Sequence, residues 1–359
     1  MDVSDVIALG AKHVRNVAAE EVYLRFGYDF TKPINFFGFV NERCNVKCRY
    51  CAYWRLDHYQ KEMSIEEWQR ALLSVRDFVG RFSINFSGGE PFIKPGFLDL
   101  LAWCHGAGIR SGVTTNGSAL SRRNVQKLVA AKPLNVNISV DAPDAETHDY
   151  LRGFPGLFDR LCQGIGFLRQ EQESRNVRFP IMIKPTITAR NFRTTPEMVD
   201  WAKRAGATCV NFQPLERWTP ETYDELWIDD ENEQAEFLSV VDRLLEMKRN
   251  GAPIMNSVST IREFSSYFRE APRPTKDLPS RVGLQTLFIL TNGDVQLGFV
   301  KPPIGNLKQQ SARDIWYGPD ARRGRKQSLS HDLQAFLNSA STRKSIRDRM
   351  RMATILMRN

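Results

Sequence analysis

A chain of 359 residues with 42% apolar content and a formal net charge of +9 is long enough to bury one large core, alone or with an appendage. No run approaches the roughly eighteen apolar residues of a membrane span, and the opening MDVSDVIALGAKHVRN sets acids ahead of its short apolar stretch instead of a basic leader, so the cytoplasm is the expected location. Six cysteines in this length do not make a disulfide scaffold, and three of them crowd into eight residues, the mark of metal ligation in a reducing compartment.

In chain order, residues 1–33 are predicted as a helical lead-in. Short β-branched or aromatic runs then alternate with helical stretches, the pattern of βα units around a parallel sheet. Strands are predicted at 34–40 (INFFGFV), 83–86 (SINF), 111–115 (SGVTT), 135–140 (NVNISV), 180–187 (PIMIKPTI) and 209–213 (CVNFQ). Between them Ser64 and Glu67 form a capping box, Ser121 starts another helix, Pro196 suits a first helical turn, and Gly106 and Gly108 end the helix of Trp103.

A long amphipathic helix is expected over 229–250, followed by an irregular stretch over 252–282. TLFIL and VQLGF flank the turn Thr291–Asn292–Gly293–Asp294 and read as a β-hairpin, because Asn-Gly supplies the positive φ a tight turn needs. The fold class is therefore α/β: a partial (β/α)6 TIM-like barrel over 34–228, a helical connector over 229–282 and a small C-terminal α+β module over 283–359.

From Lys308 onward the sequence has twelve Lys or Arg against four Asp, so the net charge belongs to the tail and the bulk is nearly neutral. A basic helix is expected over 341–359. It reads as a solvated face, as a dock for an acidic flavodoxin or ferredoxin, or as a contact for RNA or an anionic membrane. Without interleaved aromatics, a nucleic-acid partner is disfavoured.

Cys44-x3-Cys48-x2-Cys51 follows the first strand, which sets three thiolates on a loop at the carboxyl end of a parallel sheet, where such sheets bind ligands. Three thiolates on a 4Fe-4S cubane leave one iron open for chemistry. On spacing alone zinc is the alternative, with His58 completing a Cys3His set.

With Ser87-Gly88-Gly89-Glu90-Pro91 one βα unit later, and Tyr50 inside the cysteine motif, the sequence from about residue 34 to 316 resembles the radical S-adenosylmethionine superfamily. Within it, the resemblance is to the branch with a C-terminal SPASM or twitch extension. It implies one 4Fe-4S cluster on Cys44, Cys48 and Cys51, and S-adenosylmethionine held by the glycine-rich strand end (Ser87, Gly88, Gly89, Glu90) and Tyr50. Asn116 in the Thr115-Asn116-Gly117 strand end, Ser139 for the ribose, Arg152 for the carboxylate, and Gln213 complete the cofactor contacts. Thr186 and Asn191 are further candidates at the strand ends.

The hairpin, IGNL at 304–307 and DIW at 314–316 resemble the extension's scaffold. Gly298 stands where relatives place a cluster cysteine, and no cysteine follows Cys209, so a scaffold without an auxiliary cluster is expected.

The implied activity is reductive cleavage of S-adenosylmethionine to a 5'-deoxyadenosyl radical, which abstracts a hydrogen atom from a substrate. A small-molecule substrate (a sugar, nucleoside or natural-product intermediate) is expected, for isomerisation, epimerisation, decarboxylation or oxidation. About thirty residues precede the first strand, little for a peptide-recognition domain. Radical modification of a peptide or RNA is the second reading, and a non-catalytic iron-sulfur or zinc module the third. Cys209 is the candidate hydrogen donor should the reaction be an epimerisation.

Overall fold

The computed structural model describes residues 3–55, 61–216, 223–269, 281–298 and 300–330. Helix α1 (Val3–Phe26) leads into strand β1 (Asn35–Phe39). Alternating units follow: α2 (Ile65–Val79), β2 (Ser83–Ser87), α3 (Phe97–Gly106), β3 (Arg110–Thr115), α4 (Arg122–Ala130), β4 (Val136–Ile138), α5 (Ala145–Arg152) and α6 (Leu157–Ser174). Then come β5 (Ile181–Ile183), β6 (Thr186–Ile187), α7 (Thr195–Ala205), β7 (Cys209–Val210) and β8 (Gln213–Pro214). The main sheet runs β1-β2-β3-β4-β5-β7 in parallel, the sheet of a partial α/β barrel.

The strand period of two sorts the side chains. On the outer face Phe36 meets Phe82 at 4.8 Å, and Phe86 lies edge-on to Trp68 of α2 (5.7 Å) and Phe97 of α3 (5.8 Å). These rings are buried and hold the helices to the sheet. The inner face is polar at its centre. Thr114 Oγ1 donates to Asn85 Oδ1 (3.0 Å), Asn137 Nδ2 donates to Thr114 Oγ1 (3.0 Å), and Asn135 Nδ2 donates to Asn137 Oδ1 (2.7 Å). Each group thereby offsets the desolvation of its neighbour.

The helix starts follow the expected chemistry. Ser64 and Glu67 form a reciprocal capping box on α2, Ser121 accepts from Asn124 N at α4, and Pro196 lies in the first turn of α7. The single strand expected at 180–187 is broken in two. Pro185 has no amide hydrogen to continue the ladder, so Ile181–Ile183 stays in the main sheet while Thr186 pairs with Gln213 in a separate two-stranded ribbon. The expected strand at 209–213 breaks likewise, because Asn256 takes both backbone groups of Phe212.

Beyond α8 (Tyr223–Leu226), helix α9 (Glu231–Arg249) is capped by Asp230. The stretch read as irregular contains helix α10 (Val258–Arg269), which buries Ile261, Phe264, Tyr267 and Phe268. These apolar positions recur at helical spacing, a signal masked by the surrounding Ser, Pro and charge. Helices α11 (Val282–Gln285), α12 (Ala312–Tyr317) and α13 (Pro319–Ser330) flank the expected hairpin, β9 (Thr286–Ile289) and β10 (Asp294–Gln296), with β11 (Gly305–Asn306) beside it.

That hairpin is continuous with the barrel sheet. β9 lies parallel to β1 from Asn35↔Thr286 to Gly38↔Ile289, giving the order β11-β10-β9-β1 at that side. Its tip reaches the cysteine region: Thr291 Oγ1 donates to Glu42 (3.3 Å), and Met63 N donates to Thr291 O (2.7 Å). Among the described residues no helix is long and apolar enough to cross a membrane. The expected basic helix at 341–359, and His58, lie outside the described residues.

Candidate active site

Past the end of β1 the chain crosses the end of β2 and is tied to it. Val40 N donates to Ser87 O (2.9 Å), Gly89 N to Asn41 O (2.9 Å) and Glu90 N to Arg43 O (2.8 Å). Asn41 Nδ2 returns a bond to the Glu90 carbonyl at 2.8 Å. A Cβ on Gly88 would sit 2.3 Å from Asn41 O, one on Gly89 1.9 Å from Arg43 O, and one on Gly153 2.3 Å from Lys47 O. The carbonyls of the cysteine loop thus occupy the space that a side chain at Gly88 or Gly89 would need.

Gly89→Ala therefore forces the loop off β2. We expect the apo-chain to lose about 1–3 kcal/mol by overpacking, with lower iron content after anaerobic reconstitution. Wild-type values in denaturant melts and iron assays would contradict this packing account.

The three sulfurs sit in different surroundings. Cys48 is 7% exposed, whereas Cys44 and Cys51 are half-buried. Burial pushes all three thiols up, Cys48 to about 12 even though the Arg152 charge pulls it back. Asn116 Nδ2 lies 3.7 Å from Cys44 Sγ and Arg152 Nη1 3.7 Å from Cys48 Sγ. The loop backbone is fixed as well, with Trp54 Nε1 donating to Cys48 O at 2.8 Å.

A sulfur-only donor set whose thiols are desolvated, with N–H groups of Asn116 and Val46 directed at Cys44, of Arg152 at Cys48 and of Tyr53 at Cys51, fits an iron-sulfur cluster. Metal in place of the thiol protons would relieve the protonation that burial enforces. Among the described residues no three His, Cys, Asp or Glu converge around a single-ion position.

Behind Cys48 lies a charge network centred on Asp141, the residue just past the strand expected at 135–140. Arg152, 6% exposed, places Nε 2.7 Å from Asp141 Oδ2 and Nη2 2.8 Å from Oδ1. Tyr50 donates its hydroxyl to Oδ2 (2.6 Å), and Thr186 N donates to Oδ1 (2.9 Å). Asn191 Nδ2 holds the carbonyls of Asp141 (2.7 Å) and Thr186 (2.8 Å).

His148 Nδ1 accepts from Asp141 N at 3.1 Å, and burial reinforced by Arg152 drives the imidazole down to about 4, so it stays neutral and keeps that lone pair. Arg152 thus faces a protein carboxylate and the Cys48 sulfur. The carboxylate that the resemblance assigned to it belongs to a ligand. The available signal was chemical: an acid at a strand end and an arginine eleven residues on, in a helix otherwise free of Lys and Arg.

Glu90 is fully buried. Its carboxylate accepts from Thr115 Oγ1 (2.8 Å), Asn116 N (2.7 Å) and Phe92 N (3.1 Å), yet burial outweighs these bonds and raises it to about 7. A carboxyl raised on folding favours the folded state most below its unfolded value near 4.5, and that advantage is lost as pH rises toward about 7. Between pH 5 and 8 the apo wild type should lose up to about 3 kcal/mol more stability than Glu90→Gln. Parallel losses in urea melts would show that Glu90 does not titrate there.

The strand ends form a row across the barrel mouth. Ser139 N donates to Thr115 O (2.9 Å), Lys184 N to Ile138 O (2.9 Å) and Asn211 N to Ile183 O (2.8 Å), which extends the sheet register by one residue through Asn116, Ser139, Lys184 and Asn211. Gln213 is half-buried on the adjoining ribbon opposite Thr186. Cys209 is fully buried in register with Met182, its thiol pushed up to about 12 by burial. Tyr50 and Arg152 thus gather at Cys48, and the GGE strand end and Asn116 at Cys44. Gln213 and Cys209 share no hydrogen bond with the cysteine loop among those described.

Residues 39–199 match the Radical SAM superfamily. The chain therefore carries a radical SAM domain, the module of enzymes that use a 4Fe-4S cluster and S-adenosylmethionine. It is 31% identical over 169 residues to the AdoMet-dependent heme synthase of Nitratidesulfovibrio vulgaris, covering 47% of this chain and 44% of that protein. Against the AdoMet-dependent heme synthase of Methanosarcina barkeri it is 26% identical over 290 residues, covering 76% and 79%.

The PqqA peptide cyclase of Rhodopseudomonas palustris is 25% identical over 164 residues, 45% of this chain and 42% of that one. The match thus spans less than half of two of these three relatives. The fold resembles Streptococcus suis SuiB bound to S-adenosylmethionine, with a TM-score of 0.64 at 18% identity over 82% of this chain and 68% of SuiB.

Proposed function

We propose that this chain is a radical S-adenosylmethionine enzyme acting on a small molecule. The observation that carries the reading is the loop of Cys44, Cys48 and Cys51, locked to the GGE strand end and to Asn116 and set at the mouth of a polar barrel. The bound cluster would supply one electron to the sulfonium, releasing methionine and a 5'-deoxyadenosyl radical that takes a hydrogen atom from the substrate.

The chain's own residues have distinct parts. Cys44, Cys48 and Cys51 hold the cluster, and Arg152 and Asn116 direct N–H groups at two of its sulfurs. Ser139 and Asn116 line the mouth beside it, where Ser87, Glu90 and Gln213 are the further candidates for cofactor contact. The polar inner face offers hydrogen bonds that orient a substrate and exclude stray water. Cys209, closed off by burial, would serve as a hydrogen donor only after repacking.

Likeness to AdoMet-dependent heme synthase over 76% of the chain makes a tetrapyrrole the first small molecule to test, ahead of sugars and nucleosides. The peptide cyclase likeness, over 45% of the chain, supports a peptide as the second reading. An acidic flavodoxin or ferredoxin is the proposed reductant. The test is 5'-deoxyadenosine formation by anaerobically reconstituted, reduced protein with S-adenosylmethionine. Iron binding without that product would reduce the chain to a cluster-binding module.

A further inference from the structure

Lys184 is the charged residue of the mouth row, and neither the cysteine loop nor the Asp141 network uses it. It follows β5 directly, and its amide still belongs to the β4–β5 ladder through Ile138 O (2.9 Å). Ile183 faces the buried outer core. Alternation therefore turns the Lys184 side chain, like Met182, to the inner face, in register with Ser139 on one side and Asn211 on the other.

Lys184 is half-buried, and its ammonium has no hydrogen-bond or ion-pair partner among the described residues. The barrel wall desolvates it, which lowers its proton affinity, and the Glu216 charge opposes that change. A partly desolvated cation without a contact partner costs the fold stability, a cost that binding sites can carry for the sake of a ligand.

We propose that Lys184 is an anion-anchoring residue of the barrel mouth that binds a ligand carboxylate, so that the substrate class is a carboxylate-bearing small molecule. This rests on the proposed function for its substrate, but it is read by binding and not by turnover. One other carboxylate can reach this row, the methionyl carboxylate of S-adenosylmethionine, because Arg152 is already engaged by Asp141.

The test measures equilibrium affinities of the reconstituted full chain for S-adenosylmethionine, protoporphyrin IX and protoporphyrin IX dimethyl ester, in wild type, Lys184→Met and Lys184→Arg. Lys184→Met keeps the apolar stem and should fold at least as stably as wild type. We expect it to weaken protoporphyrin IX by at least about tenfold, to leave the ester unchanged, and to be rescued by Lys184→Arg. A loss confined to S-adenosylmethionine assigns the anchor to the cofactor's carboxylate. Affinities equal to wild type in both carboxylate arms, including a wild type that binds no porphyrin, overturn the proposal. Absence of 5'-deoxyadenosine from wild type, with the Lys184 effect intact, sinks the enzymatic reading and leaves this one standing.

Discussion

Replacing Cys44, Cys48 and Cys51 together by alanine should abolish iron binding and bring 5'-deoxyadenosine formation to background, the largest effect expected of any change here. Three thiolates are the whole protein donor set of the proposed cluster, and no cysteine elsewhere stands at this loop. Because the free thiols are protonated by burial and their hydrogen bonds, from Asn116, Arg152 and the backbone of Val46 and Tyr53, are weak sulfur contacts, the apo-fold should tolerate the change. The measurements are iron per chain, the visible absorption of the reconstituted protein and a denaturant melt. Retained iron would place the metal elsewhere; a collapsed apo-fold would show that the thiols pack the core.

The second large effect is expected at Asp141. Asp141→Ala leaves the Arg152 guanidinium buried with no carboxylate, and breaking a buried pair from one side costs about 3–5 kcal/mol. Tyr50 and Thr186 N also lose their acceptor. Arg152→Met in the same chain removes the stranded charge and should recover most of the loss, so the double variant melts closer to wild type than the single one. If Asp141→Ala alone matched wild type, solvent would have to reach Arg152 freely, which its burial argues against. The network also explains how Tyr50, within the cysteine motif, communicates with β4 and β6: one carboxylate holds all three.

The parallel sheet was legible because each strand is a short apolar run and each helix start announces itself through side-chain chemistry such as Ser64 with Glu67. Local signals of this kind survive folding unchanged. What failed were choices made between distant segments. Nothing near Thr286 indicates that β9 pairs with β1 some 250 residues away, and nothing in PIMIKPTI says where the ladder stops except Pro185, whose missing amide hydrogen decides it.

At the site, the cysteines and the glycines were legible by residue type. The glycines' neighbours were not, since a carbonyl of Arg43 or Lys47 leaves no trace in the sequence. Asp141 was hidden for the same reason: its role depends on Tyr50 from the cysteine loop, His148 and Arg152 from α5 and Asn191 from beyond β6, three separate segments.

The pairing of β9 with β1 bears on why the C-terminal hairpin is present in a chain without a cysteine after Cys209. A chain ending before Thr286 would leave β1 at the border of the sheet, its amides and carbonyls exposed from Asn35 to Gly38. An uncovered strand of this kind, rich in Phe, invites pairing with a second copy and then precipitation. The hairpin hems that border with short strands, so the strand that delivers the cysteine loop is an interior one. Protection of that border alone therefore gives the hairpin a reason to be there, independent of metal binding.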